Sequence, residues 1–348
     1  MDLVSSLIRS KTNEVSDSGP DVTYGRYIQI YGLDAYVAFV TPRDLLVSVA
    51  RLLVKKASPS RIVLCKLPNE YRSDDLPESA GSLPMSLEGL KEVLSSFDID
   101  LSGGVSSRCD HDAGFVRLAS FINTTSYSNV GELLRDLAAL FGLEVARFTD
   151  GVRLEYLGLE VARQIDGTNI VSVGSSERDR QARDLMYLSG YDIRVELEKT
   201  LSQLQVNRLS FGSLHPHALL CRDRWMRVLV AKRPEIIGFQ IVQPLEISSL
   251  DEPTPRCYGI GESLNGSSTL LCFTSGPDIA APFEALLLLS VLRCSSTVRP
   301  CPTKISFIVQ RRDVTEAFRT ILMRSSQDWE IITVSERWFD LPEKRNLC

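Results

Sequence analysis

The residues best equipped for binding chemistry lie in one stretch, CRDRWMRVLVAKR, residues 221–233. There Arg222, Arg224, Arg227, Lys232 and Arg233 surround Trp225, and the apolar run WMRVLVA reads as a strand. Cations that neutralise phosphates, set beside an indole that can stack a base, are the ingredients of a single-stranded nucleic-acid track. The same mixture also protects a sheet edge, where charges keep an exposed strand from pairing with another chain. A formal net charge of -5 favours the protective use, because a surface built throughout for nucleic acid would be basic.

Other candidate chemistry is sparser. Of three histidines, His111 sits in CDHD, and His215 and His217 sit in LHPHA; Cys109 or Asp112 could join them, but no zinc-ligand spacing occurs. No metal or cofactor is therefore expected. The G-x-S-x-G elbow of a serine hydrolase is absent, and no catalytic residue is assigned. YGIGESLNG reads as a hairpin turn, since Asn265–Gly266 leads into a strand. VSVGSSERD places Ser175 and Ser176 where they serve as helix caps, with an anion-binding turn as the rarer alternative. Trp338–Phe339 near the C-terminus is a candidate partner anchor, and the acidic loop 69–80 a candidate contact surface.

These residues must be held by a folded scaffold. At 348 residues, 44% hydrophobic and 24% charged, the chain can bury a substantial core and reads as globular. Its eight cysteines include no C-x-x-C pair, and several lie in apolar runs such as RIVLC and TLLCF, which suits small core hydrophobes in a reducing compartment, cytoplasmic or nuclear. The start of the chain lacks a signal-peptide pattern. The longest apolar run, IAAPFEALLLLSVL, contains Glu284 and is too short for a membrane span of about 20 residues. It reads as a buried helix.

The near-copies GLEVARFTDG (142–151) and GLEVARQIDG (158–167) read as one structural device used twice. Gly142 is expected to end a helix in the left-handed conformation, Gly158 to lie within extended structure, and the Asp-Gly pairs at 150–151 and 166–167 to make tight turns. Residues 143–173 thus form a β-meander. Four regions follow: a flexible N-terminal arm (1–22), an N-terminal α/β domain (23–174), a helical junction (175–210) and a C-terminal α/β domain (211–348).

The fold class is α/β with mixed sheets. Its two halves echo each other: AYVAFVTPRDLL and TLLCFTSGPDIA each run from a strand into a capped helix, and a Pro-x-[Arg/Lys]-Ile strand comes later, an order a divergent duplication would leave. From about 236 to 336 the order is three strands, helix, strand, helix, strand, with the second helix capped by Asp313 and Glu316. This order resembles the ribonuclease H-like fold. The resemblance implies metal-binding acids on the first strand, first helix and fourth strand; Glu284 and Asp313 could fill the later positions, whereas the first strand, IIGFQIVQ, offers none. The functional expectation is a non-enzymatic protein-interaction or assembly module, binding a protein partner or itself. The alternative is an RNA- or DNA-binding protein using residues 222–233 on a non-catalytic ribonuclease H-like scaffold, and the third is a metal-dependent hydrolase.

Overall fold

Three sheets and six helices organise the described residues of the computed structural model, which are 22–24, 28–31, 34–39, 42–54, 61–66, 94–97, 122–123, 131–148, 151–165, 170–176, 179–181, 192–209, 220–247, 257–294 and 300–335. The architecture is mixed α/β. The first sheet is a meander of β1 (Val22–Tyr24), β2 (Ile28–Tyr31) and β3 (Asp34–Phe39), followed by helix α1 (Pro42–Val54) and by β4 (Arg61–Lys66), which lies parallel to β3. Pro42 opens α1, where its missing N–H costs nothing.

The C-terminal sheet follows the same order. Strands β10 (Ile241–Ile247), β11 (Cys257–Glu262) and β12 (Ser268–Thr274) form an antiparallel meander; helix α5 (Ala281–Cys294) then leads to the parallel strand β13 (Lys304–Gln310), and α6 (Glu316–Arg324) to β14 (Trp329–Val334), parallel to β13. Among the described residues these elements follow one another as three strands, helix, strand, helix, strand. Among the described residues, β5 (Ile122–Asn123) lies at the far edge beside β10.

This sheet is apolar on both faces, and each face has its own partner. Leu270, Cys272, Ile305, Phe307 and Val309 point into a core shared by α5, α6, α1, Leu94 and Phe97. Their neighbours Leu271, Phe273 and Ile308 point the other way, against α4 (Arg222–Lys232). Helix α5 lies inside the shared core, so every residue from Ala280 to Leu292 is buried, which accounts for a run apolar all round. Phe97 meets Phe283 with ring centroids 4.7 Å apart, and Ser326 N–H donates to the Ser96 carbonyl at 2.8 Å, so the N-terminal unit and the C-terminal sheet are one packed body.

The β-meander is present as β6 (Glu144–Phe148), β7 (Gly151–Tyr156), β8 (Leu159–Ile165) and β9 (Val171–Val173). Its apolar face packs on α2 (Glu132–Phe141) and α3 (Ile193–Leu209) through Leu134, Leu137, Leu154, Val161, Leu197 and Leu204. Gly142 ends α2 at φ +62, its N–H bonded to the Ala138 carbonyl, as the repeat implied. Gly158 departs from expectation: it sits at φ +75 in a tight turn with Leu157 (φ +50) between β7 and β8, outside extended structure. Both copies therefore use a left-handed glycine just ahead of a strand that begins within LEVAR.

Three further expectations are corrected. Residues 222–232 form helix α4, not a strand, and Arg233 is its C-cap. An apolar run of this length fits a buried helix as well as a strand, and Trp225, Met226, Leu229 and Val230 form one helical face that the sheet below can bury. The strand expected from Ile236 begins at Ile241, because Pro234 opens a 3-10 turn and Gly238 ends it at φ +82. Helix α6 is capped by Thr315, whose hydroxyl accepts the Phe318 N–H at 3.2 Å; the Asp313 carboxylate is engaged elsewhere.

The two copied glycines should respond differently to substitution. A Cβ on Gly158 would fall 2.6 Å from the Arg224 backbone, whereas one on Gly142 meets nothing within 4 Å. Gly142→Ala should cost only the left-handed penalty of about 1–2 kcal/mol, and Gly158→Ala should lower the thermal midpoint further by forcing the β7–β8 turn away from α4. Equal midpoints would show that the close approach is not tight.

Candidate functional site

Helix α4 carries most of the residues that the sequence marks for chemistry, and the structure divides them into three environments. Arg224, Trp225 and Arg227 are internal, with exposures of 8%, 2% and 3%. Arg224 donates Nη2 to Glu155 Oε1 at 2.6 Å and Nε to Glu155 Oε2 at 3.3 Å, a two-pronged pair buried between α4 and β7. Arg227 Nη1 donates to the carbonyls of Leu245 and Tyr258 on β10 and β11, at 3.3 and 3.4 Å. Trp225 lies beneath the guanidinium of Arg208 from α3, 4.5 Å from the ring centre. Arg208 itself donates to the carbonyls of Leu157 at 3.0 Å and Leu220 at 3.1 Å. Burial pulls its pKa down to about 10, which leaves it charged at neutral pH.

The pairing register of the meander explains why so many cations are needed there. Glu144, Glu155 and Glu160 sit opposite one another on β6, β7 and β8, three carboxylates in a row on one face. Like charges in cross-strand positions repel. Each is answered by guanidinium or ammonium: Glu155 by Arg224; Glu144 by Lys232 at 3.8 Å; and Glu160 by Arg153 at 3.3 Å, Arg163 at 2.9 Å and Arg180 at 2.7 Å. A register shift between Leu154 and Glu155 brings Glu160 and Arg163, three apart in sequence, to the same face. Burial raises the pKa of Glu144, against the pull of Lys232 and with help from Glu155.

The remaining basic residues are at the two ends of α4. Lys232 and Arg233 are at its C-terminal end, where Arg233 pairs with Glu235 at 3.4 Å. Arg222, at the other end, is close enough to Arg312 for that charge to add to burial in lowering its pKa. Arg311 and Arg312 are exposed just beyond β13. The central cations and the indole of 222–233 are thus committed inside the protein, while Arg222 at one end lies near Arg312 and the exposed Arg311.

The other candidates are soon placed. Ser176 Oγ accepts the Asp179 N–H at 3.1 Å, the capping use expected of it, and Ser175 Oγ donates to the Asp179 carboxylate. Glu284 is buried on α5, and Asp313 Oδ2 accepts the Gly276 N–H at 2.8 Å. Among the described residues no three His, Cys, Asp or Glu side chains converge on a common point, and no helix is long and apolar enough to cross a membrane. The N-terminal arm, the loop 69–80, Cys109, His111, Asp112, His215, His217, Trp338 and Phe339 lie outside the described residues, apart from Val22 at the arm's end.

One surface was not read from sequence. Beside α6 and β14 lies an open groove of about 440 Å³, lined by Trp329 and Ile331 from the strand, Arg319, Leu322 and Met323 from the helix, and Gln327 and Asp328 from the turn between them. Met323 is 73% exposed. Trp329 stacks on Phe307, which meets Phe318 edge-on, so the strand and the helix beside it are rigidly placed. Strand β14 is the last of its sheet: among the described residues its only strand neighbour is β13. The sequence signal was available in WEIITV, a strand with no Pro, Lys or Arg, but its position at an edge is a property of the whole sheet.

The joint and the periphery of α4 should separate in mutagenesis. Arg224→Ala leaves Glu155 buried without its main counterion and should cost about 3–5 kcal/mol in denaturant unfolding, while Lys232→Ala, half-exposed and weakly paired, should cost less than about 1 kcal/mol. Comparable losses would refute this division. Glu144 predicts a pH effect of known sign: because its pKa is raised in the folded state, its contribution is fully favourable below the ordinary value of 4.5 and is lost as pH rises through the raised value. Glu144→Gln should therefore be more stable than the parent at neutral pH, with the difference vanishing on acidification; the opposite trend would mean that the Lys232 pair dominates.

Compared with known proteins, the chain matches no family model, no curated protein and no solved structure.

Proposed function

We propose that this chain is a non-enzymatic protein-interaction or assembly module, with the β14 edge and its neighbouring groove as the contact surface. The supporting observation is an edge strand of six residues, among the described residues, regular throughout its pairing with β13, whose half-buried Trp329 and Ile331 line a groove with the exposed Met323. Proteins ordinarily blunt such edges with charge, proline, a bulge or short length. A regular edge strand with no described strand beyond it, next to a groove, is the arrangement by which strands are added from a partner. The burial of Cys257 and Cys272 in apolar cores suits small core hydrophobes in a reducing compartment, cytoplasm or nucleus. The matching order of β1–β4 and β10–β13, each with its helix before the parallel strand, supports descent of the two units from a duplicated module.

A second reading has its own observation. Arg222, Arg311 and Arg312 at the carboxyl end of β13 form a local basic group that could contact phosphates, on what would be a non-catalytic ribonuclease H-like scaffold. The two readings part in one experiment. Wild-type protein, Met323→Glu and the double variant Arg311→Glu/Arg312→Glu are immobilised and exposed to extract from cells that express the chain, and bound polypeptide and RNA are identified separately. The interaction reading expects defined polypeptides lost with Met323→Glu and kept by the arginine variant. Salt-sensitive RNA retention lost only with the arginine variant would replace it with the second reading.

A further inference from the structure

We infer that the β14 edge takes a second copy of this chain, adding β14 antiparallel to β14 about a two-fold axis perpendicular to the sheet. The inference rests on the interaction reading above and names its occupant. The first ground is spacing. Adjacent strands lie about 4.8 Å apart, so copies related across the edge place their α6 helices two strand spacings apart, about 9.6 Å. Packed helices lie about 8–10 Å apart. Helix α6 covers β13 and β14 through Phe318 on Phe307 and Leu322 beside Trp329 and Ile331, so the groove would be roofed by the second copy's α6 and Met323 would meet its own counterpart.

The second ground is self-complementarity. In an antiparallel pair, directly opposed residues share a face, so the strands must be centred on a residue paired with itself. Centring on Ile331 opposes Trp329 to the second copy's Thr333, and Glu330 to the second copy's Ile332. No like charges are opposed. Glu330 is in any case held by Lys304 Nζ and Ser306 Oγ, each at 3.0 Å, on the side of its own sheet. The third ground is the regular, bulge-free register of β13 with β14, which leaves the outer edge straight enough to continue the sheet.

The test is the mass of the full chain in solution by light scattering and sedimentation across a wide concentration range, with hydrogen exchange of the β14 amides followed in the same samples. The expected result is twice the 38.8 kDa chain mass, with exchange at 330–333 slowing as concentration rises, and a loss of at least about tenfold in association (about 1.4 kcal/mol) for Met323→Glu. Met323 is exposed, so this variant should keep the parent's circular dichroism and thermal midpoint; Ile331→Lys is a second disruption within the strand. A wild type that stays at one chain mass overturns the inference. So does a dimer that both variants leave intact. If the wild type is monomeric while Met323→Glu still loses a captured polypeptide, self-association falls and the interaction reading stands; if it is monomeric and the variant loses nothing, both fall.

Discussion

Glu155 cannot be buried without Arg224. A carboxylate 4% exposed, flanked across the sheet by Glu144 and Glu160, would carry a desolvation and repulsion cost that no apolar packing nearby could offset. The guanidinium of Arg224 meets it with two hydrogen bonds, and so fixes the meander against α4 in one orientation. Gly158 permits the approach by leaving room for the Arg224 backbone, and Arg208 seals it by holding the Leu157 carbonyl and covering Trp225. Since the opposite face of α4 rests on Leu271, Phe273 and Ile308, the same helix sets where the meander stands relative to the six-stranded sheet.

Beyond that joint the molecule is built from burial on both faces of one sheet. The alternation along β12 and β13 sends Leu270, Cys272, Phe307 and Val309 to α5 and Leu271, Phe273 and Ile308 to α4. Helix α5 is enclosed on all sides because α1, Leu94 and Phe97 pack over it, which makes the N-terminal unit part of the same core. Layering of this kind satisfies strand faces but not strand edges. A sheet flanked by helices ends somewhere, and among the described residues this one ends at β14. The functional reading follows from that edge.

Much of the scaffold could be read from local pattern. The helices at 42–54, 132–141 and 316–324, the meander, the left-handed cap at Gly142 and the strand and helix order of residues 257–334 each depend on periodicity or turn chemistry within about a dozen residues. What escaped was set by distant partners. Residues 222–233 were ambiguous between strand and helix, and the deciding surfaces, the Glu155 carboxylate and the sheet at Leu271, are 69 and about 45 residues away. Thr315 displaced Asp313 as the α6 cap because Asp313 had a second use on the Gly276 amide, a contact no local pattern announces.

The sequence by itself determined the class of fold, the positions of most elements and the presence of an excess of arginine beside Trp225, because these depend on near neighbours and on composition. Tertiary structure alone decided which of those arginines face protein and which face water. A guanidinium reads the same in sequence whether its anionic partner is a phosphate or a distant glutamate; only register across β6, β7 and β8 created the row of carboxylates that claims it. In the same way WEIITV is a strand by its residues, but an edge only by the order in which the sheet was assembled.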